Sequence, residues 1–175
     1  MTAQENNDDL IKTKALAIRN LGLFMAPMED TYARLLVERG VLQLYVAVID
    51  SPVVKIRHEV VWSMRTVLVR QNETIQVALD LGLFANVLAK MTGDSDQGIR
   101  KNAIWAVSNA LYKANAQQAH WMASQTRLFQ QCLDTLNQLS EQNLMTVVLE
   151  TIQFALDRGQ KLPKEEGKNP IVRHI

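Results

Sequence analysis

Two stretches of this chain lie over one another without a gap. The first is Ile56-Arg57-His58-Glu59-Val60-Val61-Trp62-Ser63-Met64-Arg65-Thr66-Val67-Leu68, and the second is Ile99-Arg100-Lys101-Asn102-Ala103-Ile104-Trp105-Ala106-Val107-Ser108-Asn109-Ala110-Leu111. Their tryptophans, Trp62 and Trp105, are 43 residues apart. The same step taken backwards from Trp62 falls on Arg19, and a step of 45 forwards from Trp105 falls on Glu150. Both landing points lie inside further apolar-periodic segments. Such a period means that the chain is built from copies of one supersecondary unit. No copy can bury its own apolar face alone, so a core exists only where copies stack.

Each copy reads as a helix with one apolar stripe. Ile99, Ala103, Val107, Ala110 and Leu111 recur at steps of three and four, as do Ile56, Val60, Met64, Val67 and Leu68. The fourth copy supplies Leu144, Val148, Ile152, Ala155 and Leu156; the first has Ala17, Leu21, Phe24 and Met25. Between them, Tyr32–Leu42 matches Ile75–Phe84, with Gly40 and Gly82 each dividing two helical runs. Glycine there admits the left-handed conformation that ends one helix and turns a corner. Asp50-Ser51-Pro52 and Gly93-Asp94-Ser95-Asp96 then offer side chains that can cap the next long helix.

A short, a medium and a long helix per unit favour the armadillo form over the two-helix HEAT form. The expected fold is all-α: a right-handed superhelical armadillo-repeat solenoid of about four stacked three-helix repeats. Residues 1–9 read as a polar tail and 10–175 as the repeat domain. Long helices are expected near 10–25, 53–70, 96–113 and 141–158, with a truncated last repeat over 168–175.

Composition narrows the function classes. Lys+Arg 19 against Asp+Glu 18 leaves no excess charge to hold a nucleic-acid backbone. No apolar run reaches the ~18 residues of a membrane span, and the acidic start, Met1 to Asp9, lacks the pattern of a secretion signal. Cys132 is the only cysteine, which excludes an internal disulfide framework and fits a reducing compartment. His120 and His174 are distant from Cys132 in sequence and suggest no metal site. No phosphate loop or nucleophile motif occurs. The expectation is a non-enzymatic chain without cofactor or metal, in cytoplasm and nucleus, that binds neither nucleic acid nor membrane.

Trp105-Ala106-Val107-Ser108-Asn109, and more weakly Trp62-Ser63-Met64-Arg65-Thr66, resemble the Trp-x-x-x-Asn motif of the importin-α family. Arg19-Asn20-Leu21-Gly22 resembles the repeat of that family that carries Arg in place of Trp. The likeness spans nearly the whole chain and corresponds to the C-terminal half of that family's armadillo domain, the region of its minor site. It implies a concave groove that binds basic nuclear-localisation-signal peptides or cargo proteins for import into the nucleus, with nuclear carrier receptors as further partners. In that family the Trp rings stack on Lys or Arg stems, for which a flat cation-attracting face is suited. The Asn amides clamp the peptide backbone, one donor and one acceptor each.

Carried over by position, the implied peptide-binding residues are Trp105, Asn109, Trp62, Glu59, Arg19, Thr66 and Asn102. Trp105 and Asn109 are four apart, so they stand one turn apart on one helix face. Only Asn109 keeps the amide; Leu23, Thr66 and Phe154 hold the other ladder positions, and Asn102 replaces an acid. These departures support an alternative, a general armadillo scaffold for protein–protein interaction that has lost the clamp. Trp121 has no counterpart in the other copies and reads as packing. An apparent stop within a repeat leads us to expect self-association through exposed repeat ends.

Overall fold

The computed structural model describes residues 3–26, 30–164 and 168–175. Among the described residues the chain is helical, with ten α-helices and one short 3-10 turn. A long first helix, α1 (Ala3–Phe24), precedes three complete three-helix units. These are α2 (Asp30–Glu38), α3 (Val41–Val48) and α4 (Val54–Val67); α5 (Asn72–Asp80), α6 (Leu83–Gly93) and α7 (Gln97–Lys113); and α8 (Ala116–Gln125), α9 (Leu128–Gln138) and α10 (Gln142–Gly159). The expected four repeats are therefore one long helix followed by three whole units.

In place of the polar tail expected over residues 1–9, the described part is helical. Residues 1 and 2 lie outside the described residues, but α1 already begins at Ala3. Asp9 pairs with Lys12 one turn on at 3.1 Å. At the other end the long helix of the first whole unit stops at Val67, short of the expected residue 70.

The corners form for the reason read from sequence. Gly40 and Gly82 hold φ of 85° and 70°, the left-handed region that side-chain-bearing residues avoid. The caps divide unevenly. Asp96 accepts the Ile99 N–H at 2.9 Å and starts α7. The N-cap of α4 is Val53, without a side-chain cap, while Ser51 Oγ accepts the Val53 N–H at 3.2 Å within the turn.

Long helices pack on long helices, α1 on α4, α4 on α7 and α7 on α10, and one apolar cluster runs continuously from Ile18 to Ile171. The stripes of α4 and α7 are buried throughout. Full burial of such side chains contributes roughly 1.5–3 kcal/mol each for the larger ones. The α1 stripe differs. Met25 is buried and Leu21 half-buried, while Ala17 and Phe24 face outwards, because nothing among the described residues takes the place that α2 and α3 take beside α4.

Arg57 and Arg100, equivalent by the repeat, each reach back over the turn before their own helix. Arg57 Nη1 donates to the Ser51 carbonyl at 2.9 Å, and Arg100 Nη1 to the Asp94 carbonyl at 2.7 Å. Arg57 also joins two units through a bidentate pair with Asp94, at 2.9 and 3.0 Å. The two side chains are only 12% and 2% exposed. Burial opposes ionisation of Asp94, but the Arg57 hydrogen bonds and the Asp96 N–H outweigh it and hold the carboxyl below its ordinary range. The same partner raises Arg57 above its ordinary value.

The segment expected to open a truncated repeat folds back onto α10 instead. Asn169 Nδ2 donates to the Leu156 carbonyl at 2.8 Å, and Ile171 is fully buried beside Gly159. Val172–His174 form a single 3-10 turn, and Val172 and Ile175 remain exposed.

Candidate functional site

The residues singled out from sequence lie on successive long helices, so the packing of α1, α4 and α7 fixes their spacing. Trp105 is 38% exposed, and Trp62 is half-buried. Neither ring is lost in the core between units. Each, however, already has a cation over its face. The Arg19 guanidinium carbon lies 5.1 Å from the Trp62 ring centre, and that of Arg65 lies 5.7 Å from the Trp105 ring centre. Helix α1 thus supplies an arginine to the tryptophan of α4, and α4 one to the tryptophan of α7.

Each arginine is fixed by a second contact. Arg19 Nε donates to Glu59 Oε2 at 2.8 Å. Glu59 is buried, so it is held by Arg19 and is not open at the surface where a basic side chain of a ligand could find it. Arg65 Nη1 donates to Asn102 Oδ1 at 3.0 Å, and Asn102 Nδ2 meets His58 Nε2 at 3.3 Å. Asn102 is itself buried. Burial lowers the Arg65 guanidinium below its ordinary value.

The ladder positions also turn inward. Asn109 Nδ2 donates to the Arg65 carbonyl at 2.9 Å. Thr66 Oγ1, at the equivalent position, hydrogen-bonds to the Gly22 carbonyl at 3.1 Å and to the Ser63 carbonyl at 2.7 Å. In both cases the acceptor on the neighbouring helix is the residue just before the ladder position of the preceding long helix. Thr66 thereby uses its single donor, and Asn109 one of the two donors of its amide, in ties between units. Phe154 holds the same position on α10 and can make no such tie; it packs against Tyr112 with ring centres 5.4 Å apart.

Arg65 is the residue that sequence reading missed. It lies three positions after Trp62, one helical turn along the same face, and that spacing was the available signal. Trp121, read as packing, is 37% exposed on α8. Among the described residues no group of three or more His, Cys, Asp or Glu side chains is placed to hold a metal ion. The His120 and His174 rings do meet edge-on, 5.6 Å apart. Cys132 is buried, and burial pushes its thiol up to about 12.

A stack of three-helix units with their long helices in register defines an armadillo-repeat solenoid, and solved structures of that class share this fold. One is a designed armadillo repeat protein in complex with the peptide (KR)4: TM-score 0.72, 17% identity, 91% of this chain and 73% of that one covered. A computationally designed armadillo repeat protein for modular peptide recognition gives a TM-score of 0.71 and 16% identity, over 81% of this chain and 57% of that one. An engineered protein gives 0.76 and 14%, over 94% of this chain and 62% of that one. At these identities the likeness concerns the fold. No family model matches the chain, and no curated protein matches it in sequence.

Proposed function

We propose that this chain is a protein-binding armadillo module that holds an extended segment of another protein along its long-helix face. The observation that carries the reading is the repeated placement of Trp62 and Trp105 on neighbouring long helices, each with part of its ring open to solvent. Large aromatic side chains left half-exposed at one register position offer flat contact area at low conformational cost. The fold is shared with a designed armadillo protein whose structure contains a peptide. Because Leu23, Thr66 and Phe154 hold the other ladder positions and Thr66 already bonds to the neighbouring helix, the module works through aromatic and charged side chains and not through a ladder of amide clamps. It acts by binding and needs no cofactor.

A finer reading is that of a nuclear import adaptor that takes basic localisation signals in cytoplasm and nucleus. The order Arg19, Trp62, Trp105 on successive long helices favours it. A Lys or Arg of the signal would have to displace Arg19 or Arg65 from the ring it covers.

The test is to pan a library of random peptides of about a dozen residues, long enough to span several units, on the immobilised chain. Selected peptides are then titrated into wild type, Trp105→Ala and a control, Asn137→Ala, at an exposed position of the medium helix α9. Selected peptides should weaken with Trp105→Ala and ignore Asn137→Ala. Peptides indifferent to Trp105, or no enrichment, would refute the reading. Enrichment of Lys- and Arg-rich peptides that depend on Trp105 would support the basic-signal reading.

A further inference from the structure

The charge on the two middle long helices is one-sided, whereas α1 and α10 carry acids of their own. Helices α4 and α7 together carry six Lys and Arg and a single acid, Glu59. Glu59 is buried and bonded to Arg19. Of the six cations, Arg57 and Arg100 are bound to the turns before their helices, and Lys101 pairs with Glu141 at 2.7 Å. Lys55, Arg65 and Lys113 have no carboxylate partner among the described residues; Lys113 instead lies 5.3 Å from the Tyr112 ring centre.

Arg65 is the central one of these. It is half-buried, which makes an uncompensated charge costly. Its only hydrogen-bonded side-chain partner among the described residues is the neutral Asn102 oxygen on Nη1. Stacking on Trp105 and the bond to Asn102 hold the guanidinium in place. Nε and Nη2 stay free to donate, and a fixed guanidinium edge matches a carboxylate bidentately.

We propose that the partner segment is acidic, and that an Asp or Glu carboxylate of an extended peptide docks on Arg65 between Trp62 and Trp105, with Lys55 and Lys113 attracting flanking acids. This rests on the long-helix face being the binding surface. It departs from the basic-peptide reading because the cations that such a peptide would bring to the two rings are already present in the chain. The peptide then contributes the anion.

Three extended peptides of about ten residues and one design decide it: acidic side chains alternating with aliphatic ones, the same peptide with Gln at the acidic positions, and the same with Lys. Each is titrated into the full chain and followed by tryptophan fluorescence. The acidic peptide should bind about tenfold or more tighter than the Gln peptide at low salt, the scale of a charge-assisted pair, and lose that margin as salt screens it. Arg65→Gln should abolish the margin and Arg65→Lys retain part of it. If Arg65→Gln does not fold by circular dichroism, the double variant Lys55→Gln/Lys113→Gln should reduce the margin instead. A Lys peptide that binds tighter than the acidic one overturns this inference and leaves the groove reading standing. So does an acidic peptide indifferent to Arg65 in a folded Arg65→Gln variant. Binding of none of the three at millimolar concentration overturns both.

Discussion

Cutting the Arg57–Asp94 bridge, which joins the first and second whole units, should cost far more stability than an ordinary surface change. Asp94 is the C-cap of α6, and its side chain is 2% exposed. It receives two N–H bonds from Arg57, one from the Asp96 backbone at 3.0 Å, and a more distant contact from Lys90 at 3.7 Å. Arg57→Ala removes the first two and the bond to the Ser51 carbonyl, leaving a buried carboxylate with a weak cation and one amide. Removing one member of a buried pair costs about 3–5 kcal/mol. Lys90 places the expectation near the lower end, about 3 kcal/mol. Asp94→Ala should cost a similar amount. Arg57→Ala with Asp94→Ala should cost less than the sum of the two, with a coupling of about 2 kcal/mol. Urea denaturation followed by circular dichroism measures all four proteins. Single variants within about 0.5 kcal/mol of wild type, the range of ordinary surface changes, would refute the argument, as would strict additivity. The effect also has a pH direction. The folded Asp94 carboxyl lies below its ordinary value, and the unfolded value is about 3.9, so its stabilisation is fully present above that unfolded value. It is lost as pH falls through the folded value. The gap between wild type and Arg57→Ala should therefore close in acid and stay open at neutral pH.

Two further substitutions probe the packing between units. A Cβ at Gly22 would lie 2.7 Å from Ser63 Cβ and 3.1 Å from its Cα, too near backbone to be relieved by a side-chain turn; Gly22→Ala should lower the urea midpoint by an amount equal to about 1–3 kcal/mol, and an unchanged midpoint would mean that α1 and α4 are not in this register. Tyr45 is fully buried and its hydroxyl has no hydrogen-bond partner among the described residues, the nearby Ser63 hydroxyl being bonded to the Ile18 carbonyl, so Tyr45→Phe should be neutral or stabilise by up to about 1 kcal/mol. In the wild type, burial pushes this phenol up to about 12 despite the neighbouring Ser63, and an absorbance titration should show one tyrosine, lost in Tyr45→Phe, that ionises well above the ordinary phenol value of about 10.

The repeat was legible because it is written in apolar spacing and in glycines. Ile99 to Leu111 and Ile56 to Leu68 each form one buried stripe, and Gly40 and Gly82 both adopt the left-handed corner. The start of α1 was not legible, since a polar, acidic stretch suits a solvated helix as well as a tail. The site was legible in position and not in partner. Spacing placed Trp62 and Trp105 on the long helices, but no local pattern reveals that Arg65 covers Trp105 or that Asn109 donates to the Arg65 carbonyl. Those contacts join residues some forty positions apart, across units, and depend on how far one long helix slides along the next.

The bare flank of α1 has a consequence for how order is lost along the chain. Units in such a stack exchange energy only with their neighbours, and α1 leans on α4 with little contact elsewhere. Helix α7 is gripped from three sides, by α4, α6 and α10. Where no further helix covers that flank, α1 should open before α7, and backbone amide protons should exchange along a gradient of protection that rises from α1 to α7. Since Arg19 travels with α1, each such opening would uncover the Trp62 ring, so the exposure of that ring should follow α1 and not the body of the stack.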